Sequence, residues 1–169
     1  MPKIAIIRGR VWKFGKNVST SDITPGELFG HVRRPPEEIV FAALRPDWKD
    51  QVKPGDCIVA EENFGMGSQR IQANEAMKTL KIGCIVADSI SRTYFRGAIS
   101  LGFPVFPCPG VSQIFEEGDE IELDIYTGLV KNLTRGKSLY GKTFDPMILE
   151  ILEAGGMLPK IVKMEKEAA

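Results

Sequence analysis

The middle of the chain carries the pattern that most constrains the fold: short unbroken apolar runs separated by segments of helical period. Residues 57–60, 82–87 and 104–106 are such runs and read as buried strands. Between the first two, Ala73, Ala76, Met77 and Leu80 fall at i, i+3, i+4 and i+7, one apolar stripe of an amphipathic helix. Between the second and third, Ile90, Tyr94, Ala98 and Leu101 share one side of a helix that Asp88 or Ser89 caps. Strand, helix, strand, helix, strand predicts parallel pairing with right-handed crossovers.

The flanks read differently. Residues 3–8 and 10–14 are expected as two short strands, followed by a polar, turn-rich loop over 17–30. Pro35 and Pro36 can open a helix over 37–44, which Pro46 ends. Lys53, Pro54, Gly55 and Asp56 make the turn before the first buried run. Past Gly118, residues 120–125 alternate, Thr127 and Gly128 turn the chain, and 129–133 return, which predicts an antiparallel hairpin. Asp145 and Pro146 start a last helix over 147–154, stopped by Gly155 and Gly156. With 169 residues and 43% hydrophobic composition the chain can close one sizeable core. The expected architecture is α/β, a partly parallel sheet with an antiparallel hairpin, in one domain over residues 1–163 with 164–169 as a frayed tail.

Charge and cysteine usage exclude several function classes. Lys plus Arg and Asp plus Glu both count 22, so no long-range field draws nucleic acid or an anionic membrane, and any anion is bound locally. No run approaches the roughly 18 apolar residues of a membrane span, and residues 1–12 lack a signal-peptide core, so a cytoplasmic location is expected. Cys57, Cys84 and Cys108 are far apart, in or beside apolar runs, and suit reduced core thiols. They have no metal-ligand spacing, and a single histidine, His31, leaves almost no room for an imidazole-bound metal in this chain.

Three stretches could carry chemistry. Gly65, Met66, Gly67, Ser68, Gln69 and Arg70 lie where a strand end meets a helix start, with Ser68 expected at or near the N-cap. Free N–H groups and the positive end of a helix dipole can hold a carboxylate there, and Arg70 adds a planar fork of donors. As a bare pattern this fits a tight structural turn equally well. Arg92 and Arg96, four residues apart, share a helix face whose ordinary reading is a solvated basic surface. The hydroxyl-dense loop Ser19, Thr20, Ser21, Asp22, Ile23, Thr24, Pro25, Gly26 ordinarily only builds turns and caps.

Taken in order, the stretches say more. Val11-Trp12-Lys13-Phe14-Gly15, the Ser19 to Gly26 loop, Asn63-Phe64-Gly65-Met66-Gly67-Ser68-Gln69-Arg70, Ser91-Arg92-Thr93-Tyr94-Phe95-Arg96 and Leu149-Glu150-Ile151-Leu152-Glu153-Ala154-Gly155-Gly156 together resemble the small subunit of isopropylmalate isomerase and homoaconitase. The resemblance covers nearly the whole chain. It implies the swivelling β/β/α domain of the aconitase superfamily, with no cofactor in this chain and a four-iron four-sulfur cluster on a separate large subunit. The implied reaction removes water from a 2-hydroxy dicarboxylate and adds it back at the neighbouring carbon. By the same resemblance Ser68 is the catalytic base, Arg70 clamps a substrate carboxylate, and Gly67, Gln69, Thr20 and Asp22 line the substrate. The implied partners are the iron-sulfur subunit and a small 2-hydroxy dicarboxylate, with no nucleic acid and no membrane.

The chain departs from the family pattern in places. Met66 replaces a cysteine, Gln69 a second serine, Ile71 a glutamate and Gln72 a histidine, while Ser68 and Arg70 match. In the family's specificity loop, Leu28, Phe29, Gly30 and His31 stand where relatives have Tyr-Leu-Arg, and Arg33 and Arg34 follow. A pocket lined by Phe29 suits an alkyl group better than a third carboxylate, which needs a paired cation when buried. The expected activity is therefore that of 3-isopropylmalate dehydratase, in leucine biosynthesis. The alternatives are a citramalate, 2,3-dimethylmalate or homoaconitate dehydratase subunit, or a non-catalytic module that kept the fold. A serine base at neutral pH needs its pKa lowered by many units, whereas a helix terminus supplies up to about 2 kcal/mol, roughly 1.5 units. Catalysis is thus expected only at an interface closed by the partner.

Overall fold

The computed structural model describes residues 6–26 and 34–168. Strands β1 (Ile6–Phe14), β2 (Cys57–Ala60), β3 (Ile85–Ala87), β4 (Val105–Pro107), β5 (Glu120–Asp124), β6 (Leu129–Asn132) and β7 (Lys137–Tyr140) form one seven-stranded sheet in the order β4-β3-β2-β1-β5-β6-β7. The helices are α1 (Thr20–Ile23), α2 (Trp48–Gln51), α3 (Ile71–Thr79), α4 (Arg92–Ser100), α5 (Pro146–Glu153) and α6 (Met157–Ala168). β1 to β4 pair in parallel, with α3 and α4 in the connections, as the apolar runs require. All residues of β2 and β3 are buried, because helices and loops cover both faces of a parallel sheet.

β1 joins two kinds of sheet. Its later half, Val11 to Phe14, pairs parallel with β2, and its earlier half, Ile6 to Arg10, pairs antiparallel with β5. The two short strands expected near the N-terminus are therefore one over the described residues; residues 3–5 of the first expected strand lie outside them. Gly9 does not interrupt it, because that position packs on another backbone: a Cβ there would land on the Gly55 carbonyl and 2.9 Å from the Cys57 sulfur. The predicted hairpin is β5–β6, and β7 extends it, pairing Lys131 with Ser138 and Asn132 with Lys137. Its residues are mostly exposed, so no alternation marked it.

Other boundaries shift for identifiable reasons. The helix expected over 37–44 is only a 3₁₀ turn, Pro36–Glu38. Phe41 has φ 54°, and the reversal drops its ring between Phe14, centroids 4.4 Å apart, and Trp48, 4.9 Å apart. An aromatic cluster thus overrides helical propensity. β3 begins only at Ile85, since the Ile82 and Gly83 N–H groups donate to Met77 and Asp56 carbonyls rather than to a strand. The N-cap of α4 is Ser91, not Asp88 or Ser89. Asp88 instead accepts from the Ser112 N–H (3.0 Å) and hydroxyl (2.5 Å), and the Ser89 hydroxyl accepts from the Asn63 N–H at 2.8 Å. α5 starts as foreseen, with Asp145 accepting from the Met147 N–H. The residues expected as a frayed tail are the exposed last turns of α6, through Ala168.

Candidate functional site

The site begins with the loop after β2, which reverses direction through residues of positive φ: Asn63 (63°), Gly65 (75°) and Gly67 (99°). At Gly65 the reason is packing. A Cβ there would enter the Tyr94 ring, which is 3% exposed and sits edge-on to Phe64 with centroids 5.4 Å apart. Burial pushes the Tyr94 phenol, which has no hydrogen-bond partner among the described residues, well above its ordinary pKa, so it is a neutral prop for the loop. The Ser91 N–H donates to the Phe64 carbonyl at 2.9 Å, which seats the first turn of α4 behind the loop.

The hydroxyl-rich stretch forms the other wall. Residues expected as an irregular loop contain α1, closed by a capping box in which Asp22 accepts from the Ser19 N–H (2.7 Å) and hydroxyl (2.6 Å) while the Ser19 hydroxyl accepts from the Asp22 N–H. Hydrogen bonds lace this wall to the glycine loop. Gly65 N–H donates to the Val18 carbonyl (2.7 Å), Thr20 N–H to the Met66 carbonyl (2.9 Å), and the Thr20 hydroxyl to the Ser68 carbonyl (2.8 Å).

These contacts leave Gly67, Ser68 and Gln69 on the surface, with Arg70 half-buried beside them. The N-cap of α3 is Arg70, so Ser68 stands before the helix end rather than on it. The dipole acts mostly within the terminal turn, and its help to Ser68 is accordingly small. The nearer positive charge is Arg70, whose Nε donates to the Ser68 hydroxyl at 3.4 Å and whose guanidinium also donates to the Thr24 carbonyl at 3.0 Å. Among the described residues, no acceptor pairs with the N–H of Gly67, Ser68 or Gln69. The arrangement can therefore present a hydroxyl, a guanidinium and backbone donors to a carboxylate from outside.

Of the residues expected at the substrate, Ser68, Gly67, Gln69 and Arg70 share this rim. Thr20 is 2% exposed and bonds across to the glycine loop, whereas Asp22 is engaged within its own wall, in the capping box with Ser19. In the specificity loop, Leu28, Phe29, Gly30, His31 and Arg33 lie outside the described residues, and Arg34 is exposed. Arg92 and Arg96 are exposed on α4 and form no ion pair among the described residues. The sequence reading missed that the Thr24 carbonyl and Gly26 meet Arg70, which no side-chain pattern advertises. A groove of about 840 Å³ between α5 and α6 is bordered by Glu150, Lys160, Val162 and Met164, not by Ser68 or Arg70.

The thiols belong to the core. Cys57, Cys84 and Cys108 are free and buried, Cys57 and Cys84 preceding the paired Ile58 and Ile85 on neighbouring strands. The hydrogen bond to Cys57 and then burial push Cys84 up, and burial with the nearby Asp88 charge raises Cys108 to about 11, which keeps both protonated. Among the described residues no three carboxylate, imidazole or thiol groups converge on a metal position, and no helix is long and apolar enough to cross a membrane.

No family model matches the chain. It is 43% identical over 167 residues to the isopropylmalate/citramalate isomerase small subunit of Methanocaldococcus jannaschii, covering 97% of this chain and 98% of that protein. It is 40% identical over 163 residues to 3-isopropylmalate dehydratase small subunit 1 of Methanopyrus kandleri, covering 95% of this chain and 94% of that one. A crystal structure of 3-isopropylmalate dehydratase from Methanocaldococcus jannaschii superposes with a TM-score of 0.88 at 32% identity, over 96% of this chain and 97% of that one. These full-length likenesses lead to one conclusion: the chain belongs to the family of 3-isopropylmalate dehydratase small subunits, the lesser chain of a heteromeric hydro-lyase.

Proposed function

We propose that this chain, paired with its large subunit, interconverts 2- and 3-isopropylmalate by dehydration and rehydration, with Ser68 as base and Arg70 as the carboxylate clamp. The observation that carries the reading is the exposed Ser68 hydroxyl, held 3.4 Å from the Arg70 Nε on a rim built from two laced loops. A guanidinium fork binds a carboxylate in two parallel hydrogen bonds, which fixes the carbon next to it. Ser68 is then within reach of that carbon's proton, and Gly67 and Gln69 offer N–H groups to the same carboxylate. Thr20 and Asp22 act by holding the rim rather than by touching substrate.

The open rim explains why a partner is needed. Arg70 alone, in contact with water, lowers the Ser68 pKa too little for a base at neutral pH. Closing the rim under a second subunit removes water and strengthens each of these contacts. An iron-sulfur cluster bound by that subunit supplies a Lewis acid for the substrate hydroxyl. The thiols of this chain, buried in the core, do not suit cluster ligation.

The test is Ser68→Ala in the reconstituted two-subunit complex, followed by ultraviolet absorbance of the unsaturated acid. Turnover is expected to fall about 10²- to 10⁴-fold with assembly intact; unchanged turnover would sink the reading. Citramalate is the second substrate to try, because the Methanocaldococcus jannaschii relative is named for both acids. Phe29 in the specificity loop favours the larger alkyl group, so isopropylmalate is expected to have the higher kcat/KM.

A further inference from the structure

We propose that Gly26 is a positioning residue for the substrate-binding guanidinium: its missing side chain, together with the Thr24 carbonyl, fixes where Arg70 points. The inference rests on the reading of Arg70 as the carboxylate clamp. Arg70 and Gly26 are far apart in sequence, yet a Cβ built on Gly26 would lie 2.9 Å from one terminal nitrogen of Arg70, 3.4 Å from the other and 3.5 Å from Cζ. The guanidinium therefore lies against bare backbone. One of the same nitrogens donates to the Thr24 carbonyl at 3.0 Å, and Nε points to the Ser68 hydroxyl at 3.4 Å. Thr24 is the C-cap of α1, and its own N–H donates to the Thr20 carbonyl, so the acceptor is fixed by a helix end.

This contact differs from the other close glycine of the site. Gly65 has positive φ and abuts the base of a buried ring, so a side chain there disturbs the fold. Gly26 is exposed and carries no positive φ, and among the described residues the three atoms nearest to an added Cβ all belong to the tip of one flexible side chain. A methyl group at Gly26 is accommodated by moving that tip. The fold should hardly register the change, whereas a clamp displaced by about 1 Å loses its bidentate geometry.

The experiment uses the reconstituted complex and compares wild type, Gly26→Ala, Arg70→Lys and the double variant. Gly26→Ala is expected to raise KM for isopropylmalate roughly tenfold or more while kcat falls less and the melting temperature of the chain is unchanged. In the Arg70→Lys background, which lacks the planar fork, the same substitution should change KM less than about threefold. Where turnover is too slow to follow, the rise in melting temperature on adding isopropylmalate gives the corresponding affinity ratio. Gly26→Ala without an effect on KM, or with the same effect in both backgrounds, overturns the proposal. If Arg70→Lys itself leaves KM unchanged, the clamp reading has failed, and that outcome is distinct from a silent Gly26→Ala beside an impaired Arg70→Lys.

Discussion

The Thr20 hydroxyl donates to the Ser68 carbonyl at 2.8 Å across 48 positions of sequence, and this bond ties the serine of the rim to the first turn of α1. Thr20→Val keeps the shape of the side chain and removes the donor. The Ser68 carbonyl then loses its partner, and a loss of about 1–2 kcal/mol in unfolding free energy is expected. The kcat of the reconstituted complex should fall as well, by roughly tenfold. Thermal melting and steady-state kinetics on the same preparations check both, and an unaltered kcat would show that the bond does not position Ser68.

Asp22 closes the capping box with Ser19, and Asp22→Ala should lower stability by about 1 kcal/mol. Asp22→Asn retains an acceptor for the Ser19 N–H and should recover most of both stability and turnover. A direct substrate contact by the carboxylate would give a different pattern, with melting restored by Asn and turnover still low.

Gly65→Ala is expected to be the most damaging change in the loop. It combines a left-handed backbone with a collision against the buried Tyr94 ring, and should cost about 2–4 kcal/mol. For a chain of this size the melting temperature would drop by roughly 10 °C. A variant that melts like the wild type would show that the Tyr94 ring is not a fixed floor.

Acid sensitivity should arise partly on the outer sheet. Glu122 on β5 faces Arg8 across β1 and Lys131 across β6, with contacts of 2.7 Å to Arg8 Nε and 2.9 Å to Lys131 Nζ. The hydrogen bond from Lys131 and then that from Arg8 hold the Glu122 carboxyl below its ordinary range. A depressed carboxylate pKa means the unfolded chain binds the proton more readily. The stabilisation is therefore complete above the unfolded value of about 4.3 and is lost as pH falls through the lower folded value. Glu122→Gln should lower the melting temperature at pH 7 by a few degrees, and the gap to wild type should be narrower at about pH 3. A constant difference at both pH values would exclude this origin.

The stretch from β2 to β4 was legible because each strand is buried on both faces and each helix carries one stripe, so burial wrote itself into the hydrophobic period. The helix over 37–44 was misread because Phe41 serves a distant aromatic cluster, which local propensity does not see. β7 and α6 escaped for a related reason. Both are largely exposed, and α6 follows Gly155 and Gly156, which read as a stop. At the candidate site, Ser68 and Arg70 were singled out through the order of motifs, and the structure sets them side by side. The parts made of backbone, the Thr24 carbonyl and the bare face of Gly26, leave no trace in side-chain chemistry.

The double pairing of β1 carries a consequence for how the molecule comes apart. One ribbon supplies ladder partners to β2 on one side and β5 on the other, so neither portion of the sheet can detach without stripping hydrogen bonds from the strand they hold in common. Amides of Val11 and Phe14 should exchange with deuterium at the same slow rate as those of Ile121 and Leu123, through a single global opening. The rim that bears Ser68, rooted just beyond the end of that ribbon, is anchored to the last part of the protein to let go.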